Sequence, residues 1–250
     1  MASILQSLTP EEWFWMGLAG LLIGLAKAGL KGLGMLIVPI MAAVFGGKPS
    51  AGLVLPILLI ADVFAVVTYN KHADWTIVLK LIPPAIAGVI IALIVGLYVS
   101  DETFSLLISA IIIGSLILMV IQEKFGLPDR VVFHGLFSRF FGLLGGFTTM
   151  IGNAAGPVMS VYLLSSKLPK KEFIGTGAWF FMVINWIKLP MHIFFWKTIT
   201  IQSLSLNLMI IPFIALGAFT GFRVVNLIPE KSYRFFVIGI TFLIALRLLI

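Results

Sequence analysis

The chain is a succession of long apolar runs separated by short polar turns. Five runs, Ala51–Tyr69, Leu81–Ser100, Phe104–Ile121, Phe173–Phe195 and Ser203–Phe222, are close to the roughly 20 apolar residues that carry a helix across a bilayer. A further run, Phe235–Ile250, is shorter and holds Arg247 near its end. Two other stretches, Trp13–Phe45 and Phe140–Leu164, are apolar but broken midway by glycines and polar residues. Each reads as two helices of about a dozen residues, reaching about 20 Å against a hydrocarbon core of about 30 Å. Residues 13–46 and 140–165 are therefore expected as thin helix pairs or re-entrant hairpins. The fold expected is an all-α polytopic membrane protein of about ten hydrophobic segments, forming one transmembrane domain over residues 1–250.

Composition supports that pattern. Of 250 residues, 60% are apolar and 11% charged, against about 45–50% and ~25% in soluble domains. A soluble enzyme, a nucleic-acid binder and a disordered segment are excluded, and membrane lipid is the surrounding medium. The chain has no cysteine, which removes disulfides and thiolate chemistry. Glu11 and Glu12 stand where a secretory signal would be basic.

The net charge of +7 becomes informative once the cations are sorted by side. With the N-terminus outside, Lys71, Lys80, Lys124, Arg130, Arg139, Lys167, Lys170, Lys171, Arg223, Lys231 and Arg234 fall on one face. The other face receives Lys48 and Lys197 with the Asp101-Glu102 turn. The lysine-rich face is expected to be cytoplasmic and both termini extracytoplasmic. Lys27, Lys31, Lys188 and Arg247 lie within apolar segments and are left over.

The two broken stretches resemble each other. Gly20-Leu21-Leu22-Ile23-Gly24 matches Gly142-Leu143-Leu144-Gly145-Gly146 at an offset of 122, and Gly34 then falls on Gly156. A proline-containing loop follows each (Pro49, Pro169), then a helix with an interior polar residue, Asp62 or Asn185, at an offset of 123. Two copies of a five-segment unit are implied, repeat 1 over about 13–121 and repeat 2 over about 133–250. An odd number of segments makes the second copy inverted. Inverted repeats with matching broken helices point to a secondary transporter with its site between the halves.

These residues resemble the sulfite exporter TauE/SafE family of membrane transporters. The likeness lies in the paired breaks Gly24–Gly34 and Gly146–Gly156, and in Gly175-Thr176-Gly177-Ala178 followed by Asn185, Lys188 and Pro190. It runs over roughly residues 15–248. The resemblance implies passage of a small sulfur-bearing anion, sulfite or an organosulfonate, across the bacterial inner membrane, with export the expected direction. One departure is Gly29-Leu30-Lys31-Gly32-Leu33-Gly34, where family first halves often carry a tighter glycine run.

Candidate site residues follow from the cost of polar groups inside a span. A mid-helix ammonium costs on the order of 2.5–3.5 kcal/mol. Asn185, Lys188 and His192 are spaced three and four apart and share one helix face, offering an amide, a cation and an imidazole to one oxyanion. Lys188 alternatively snorkels outward or pairs with Asp62. At the breaks, exposed backbone N–H groups and helix N-termini suit an anion. Thr148, Thr149, Asn153 and Thr176 add donors in the second half; Lys27, Lys31, Gly32 and Gly34 are the candidates in the first. Asp62 is a proton carrier or a partner for Lys188, with Tyr69 beside it as a gating candidate. His72 and His134 read as interfacial. The Gly20/Gly24, Gly142/Gly146 and Gly217/Gly221 pairs suit close helix packing, the last also a homodimer contact.

No cofactor or metal is expected, since no nucleotide loop ends in GK[ST] and no HExxH-type motif occurs. An intramembrane enzyme would have only Asp62, Lys188 and His192 to work with. A channel or a carrier of another small solute is the other alternative, though a channel needs a continuous polar lining.

Overall fold

Hydrophobic patterning has produced helix throughout. The computed structural model describes residues 8–28, 33–125, 135–224 and 230–247, which form ten α-helices. They are α1 (Pro10–Lys27), α2 (Leu33–Phe45), α3 (Gly47–Tyr69), α4 (Trp75–Tyr98), α5 (Asp101–Phe125), α6 (Gly135–Gly152), α7 (Gly156–Ser165), α8 (Lys170–Pro190), α9 (Ile201–Val224) and α10 (Glu230–Arg247). Five segments have the length and apolar composition to cross a membrane: Gly47–Tyr69, Trp75–Tyr98, Asp101–Ile121, Lys171–Phe195 and Ile201–Gly221. The surface is inverted relative to a protein in water. Leu79, Ile94, Tyr98, Leu208, Phe213 and Leu216 are exposed, whereas Asp62, Asn185, Lys188 and His192 are buried. That distribution fits a bilayer as solvent. The chain is an all-α polytopic membrane protein.

The acidic N-terminal residues have a structural use. Thr9 caps α1 in a reciprocal box, its hydroxyl accepting from the Glu12 N–H (3.2 Å) while the Glu12 carboxylate accepts from the Thr9 N–H (2.7 Å). Glu11 and Glu12 also complement the helix dipole.

The broken regions differ from expectation in their proportions. Their leading helices, α1 and α6, have 18 residues each, and their trailing helices, α2 and α7, have 13 and 10. A helix of 18 residues rises about 27 Å; each leading helix starts before its apolar stretch, at Pro10 and Gly135, and the breaks after Lys27 and Gly152 fall midway along Trp13–Phe45 and Phe140–Leu164 as expected. Gly20, Gly24, Gly142 and Gly146 do not interrupt their helices. They sit inside them, where their missing side chains admit a neighbour's backbone. A Cβ on Gly24 would meet the Ile214 carbonyl of α9, and one on Gly217 of α9 would meet the Leu21 carbonyl of α1. A Cβ on Gly146 would meet the Ala85 carbonyl of α4, and one on Gly88 of α4 the Leu143 carbonyl of α6. The intrinsic cost of an interior glycine, about 1 kcal/mol, is offset by this close contact. Gly217 and Gly221 are thus used internally, against Leu21 and Leu25 of α1 and Ala28 just past its end, and not on a free face.

The packing repeats between the halves. Exchanging α1–α5 with α6–α10 carries the α1/α9 contact onto α6/α4, α2/α10 onto α7/α5, and α3/α9 onto α8/α4. The α3/α8 contact maps onto itself. Directions are reversed as well. Lys27 at the end of α1 reaches Asp62, seven residues before the end of α3. Asn153, just past the end of α6, reaches Ala51 near the start of α3. The two breaks therefore lie at different depths, on either side of a central α3/α8 crossing.

Candidate functional site

The crossing of α3 and α8 brings the interior polar residues together. Asn185 Nδ2 donates to Asp62 Oδ2 at 2.7 Å, so the two residues matched by the 123-residue offset touch directly. Asp62 Oδ1 accepts from Lys27 Nζ, an ion pair in which Asp62 is fully buried and Lys27 one-fifth exposed. The Lys27 ammonium also lies 5.3 Å from the Phe181 ring centroid of α8, within cation–π range.

On the other side of Asn185 stands Lys188, fully buried. Its Nζ donates to Asn185 Oδ1 (3.0 Å), Thr149 Oγ1 (3.0 Å) and Asn153 Oδ1 (2.6 Å). Three acceptors match the three protons of an ammonium. Asn153 follows α6 with φ of 54°, a left-handed conformation that asparagine tolerates. Its Nδ2 donates to the Ala51 carbonyl (3.1 Å). The result is a continuous chain, Lys27–Asp62–Asn185–Lys188–Asn153/Thr149, running from one break to the other. Ala51 and Asp62 are eleven residues apart on α3, so the chain covers about 16 Å of depth.

His192 follows Lys188 by four residues and lies in a π-helical turn, Met191–Phe195, that begins directly after Pro190. Proline cannot continue the i→i−4 ladder, and a wider turn is the local solution. The His192 ring is buried, its Nδ1 paired with Thr198 Oγ1 (2.8 Å) and its face met edge-on by Trp196 at 4.9 Å. His192 Nε2 is buried and has no partner among the described residues.

Other candidates fall elsewhere. Thr148 is buried but returns its hydroxyl to the Leu144 and Gly145 carbonyls of its own helix. Thr176 accepts from the Asp74 N–H (2.9 Å), bracing the turn between α3 and α4. Tyr69 ends α3 with its carbonyl facing Gly175. Gly34 has open space around its Cβ position. Lys31, Gly32 and His134 lie outside the described residues. Lys188 does not snorkel, and Asp62 pairs with Lys27, reaching Lys188 only through Asn185. Asn207 on α9 was not anticipated: it is buried, and neither amide atom has a partner among the described residues. Its sequence signal is a lone amide in the run Leu204–Ile211.

The electrostatics favour an anion. The group holds two lysines and one carboxylate, and that carboxylate contacts Lys27. All three acceptors on Lys188 are neutral. Helix α7 begins at Gly156, three residues past Asn153, so the positive end of its dipole opens beside the same cation. No cluster of metal-ligating side chains occurs among the described residues.

A family model described as sulfite exporter TauE/SafE matches residues 16–248. No curated protein and no solved structure matches the chain. The matched span takes in both breaks, the α3/α8 crossing and the whole polar chain: the protein belongs to the sulfite exporter TauE/SafE family of membrane transporters.

Proposed function

We propose that the protein is a secondary transporter that moves a small sulfur-containing anion, sulfite or an organosulfonate, across the bacterial inner membrane in the export direction. Its substrate would bind between the two halves, at Lys188, Asn185, Thr149, Asn153 and His192. The observation that carries this reading is the fully buried Lys188 held by three neutral acceptors. Neutral acceptors solvate an ammonium without neutralising it, and an oxyanion would supply the missing charge through shorter, stronger hydrogen bonds.

With all three of its protons engaged, Lys188 must exchange a protein acceptor for an anion oxygen when substrate arrives. Asn153 is the acceptor at the break and the natural one to give way. Asp62 and Lys27 hold the end of α1 against α3, and their ion pair serves as the gate on that side. The packing supports alternating access. The α1/α9 and α4/α6 pairs are too closely apposed to slide, so each moves as a unit about the α3/α8 crossing.

The test is flux into proteoliposomes with sulfite, taurine, sulfoacetate and thiosulfate, followed by cross-competition. At least one compound should be carried and the others should compete. Transport of none of them refutes the sulfur-anion assignment. Inside-out and right-side-out vesicles report the direction.

A further inference from the structure

The amide of Asn185 is held between two groups of opposite hydrogen-bonding character. Its Nδ2 donates to Asp62 Oδ2 at 2.7 Å, and its Oδ1 accepts from Lys188 Nζ at 3.0 Å. A carboxylate can only accept and a protonated lysine can only donate, so the amide has one orientation available between them. All three side chains are buried. A mismatch at either end would leave polar atoms unsatisfied in the interior, at a cost larger than the value of an ordinary hydrogen bond.

A proton on Asp62 reverses that orientation. Lys27 holds Oδ1 from the side of α1, which leaves Oδ2 as the oxygen to carry the proton. An O–H at Oδ2 meets the Asn185 N–H donor to donor. Turning the amide over relieves the clash: Oδ1 then accepts from Asp62, and Nδ2 faces Lys188. Lys188 Nζ keeps Thr149 and Asn153 as acceptors but has lost Asn185, and a second donor now points at the same place. An oxyanion that accepts from Lys188 Nζ and Asn185 Nδ2 together restores a complete set of hydrogen bonds.

The proton also has a way in. Asp62 is fully buried, whereas its partner Lys27 is one-fifth exposed. Lys27 passes a proton along its hydrogen bond to Oδ1 and takes another from water, and a half-turn of the carboxyl group carries the O–H to Asn185. Asp62 has then gained one proton and Lys27 is as it began. Lys27 from α1 and, through Asn185, Lys188 from α8 are the titratable groups that reach Asp62. Helix α2 carries none. Those of α5, α6 and α9 (Asp101, Glu102, Glu123, Lys124, Arg139 and Arg223) lie within two turns of a helix end. Tyr69, Lys71 and His72 follow Asp62 by seven to ten residues.

We propose that Asp62 is a proton-binding site of the transport cycle and that Asn185 is the positioning residue linking it to Lys188, so that one proton crosses with each anion. The proposal rests on the reading of the protein as an anion transporter with Lys188 in its site. The coupling holds for either direction of travel, because linkage between two bound species is reciprocal.

The experiment counts protons against anions. Proteoliposomes holding the purified protein are clamped at zero potential with valinomycin and equal potassium, and trapped pyranine reads the protons. Radiolabelled sulfite, sulfoacetate and thiosulfate are offered in turn, with protein-free vesicles as background. Wild type should move about one proton with each sulfoacetate or thiosulfate, and about one more per sulfite than Lys27→Met/Asp62→Asn does. In that double variant and in Asn185→Leu, which keeps Asp62 and Lys188 but cuts the link, the coupled proton should be lost whatever the rate of anion flux. Linkage also requires the wild-type affinity for a carried anion to fall, by up to about tenfold per pH unit, as pH rises. Those wild-type measurements decide the matter if a variant fails to fold. No proton movement with the anion, or an affinity independent of pH, overturns the coupling. A coupled proton retained by the double variant removes Asp62 as its site, and one retained by Asn185→Leu removes Asn185 as the link. Wild-type protein that carries none of the three anions overturns the transporter reading instead.

Discussion

Lys188→Met separates a structural lysine from a substrate-binding one. Removing an ammonium from mid-span recovers about 2.5–3.5 kcal/mol on insertion scales. Against this stand three lost hydrogen bonds from a charged donor, at about 1.5 kcal/mol each by the lower bound. The two nearly cancel, leaving a destabilisation of about 1–2 kcal/mol, or a few degrees of melting temperature. Transport is affected differently. Losing a buried charge partner for an anion costs about 2–5 kcal/mol, which lowers kcat/KM at least about thirtyfold. Thermal melts in detergent and initial-rate sulfite flux, measured on the same preparation, give both numbers. Flux within about twofold of wild type would refute Lys188 as the substrate's cation. Failure of the variant to accumulate as folded protein would refute the energy balance.

Two further outcomes test the scaffold. Asp62→Asn leaves Lys27 without its carboxylate and should destabilise by about 3 kcal/mol, the low end for a broken buried pair because Lys27 is partly exposed. Lys27→Met/Asp62→Asn should regain most of it, and a double variant no more stable than Asp62→Asn would remove the pair from the account. Gly146→Val and Gly24→Val place side chains on the Ala85 and Ile214 carbonyls and should abolish folded protein. Gly114→Ala, with nothing within 4 Å of its Cβ, should stabilise α5 by up to about 1 kcal/mol. Expression and melting of these variants decide the point, and a well-folded Gly146→Val would refute the close α4/α6 contact.

Much of this protein was legible in its sequence because the bilayer imposes simple arithmetic. A helix must be about 20 apolar residues long to cross, and the runs Ala51–Tyr69 and Ser203–Phe222 reappear as helices within a few residues. The expense of charge in hydrocarbon singled out Asp62, Lys188 and Lys27 without reference to any fold. Spacing on one helix face grouped Asn185 with Lys188 and His192, because a helical period of 3.6 is a local property.

Tertiary structure decided what is non-local. Whether a glycine breaks a helix or lets another helix approach depends on the neighbour. Gly24 and Gly146 have α9 and α4 against them, so α1 and α6 run on for 18 residues. Thr148 and Thr149 are adjacent and chemically identical, yet helix rotation sends one hydroxyl back to its own backbone and the other to Lys188. Asp62 had two lysines to choose from, and only the end of α1 settling against α3 gave it Lys27. Spacing alone did not show that the turn carrying His72 would pack against Gly175 of α8. The sequence determined which residues were too polar to be in the membrane without a partner; the packing of α1, α3, α6 and α8 determined who the partners are, because contacts between segments more than 30 residues apart leave no trace in local spacing.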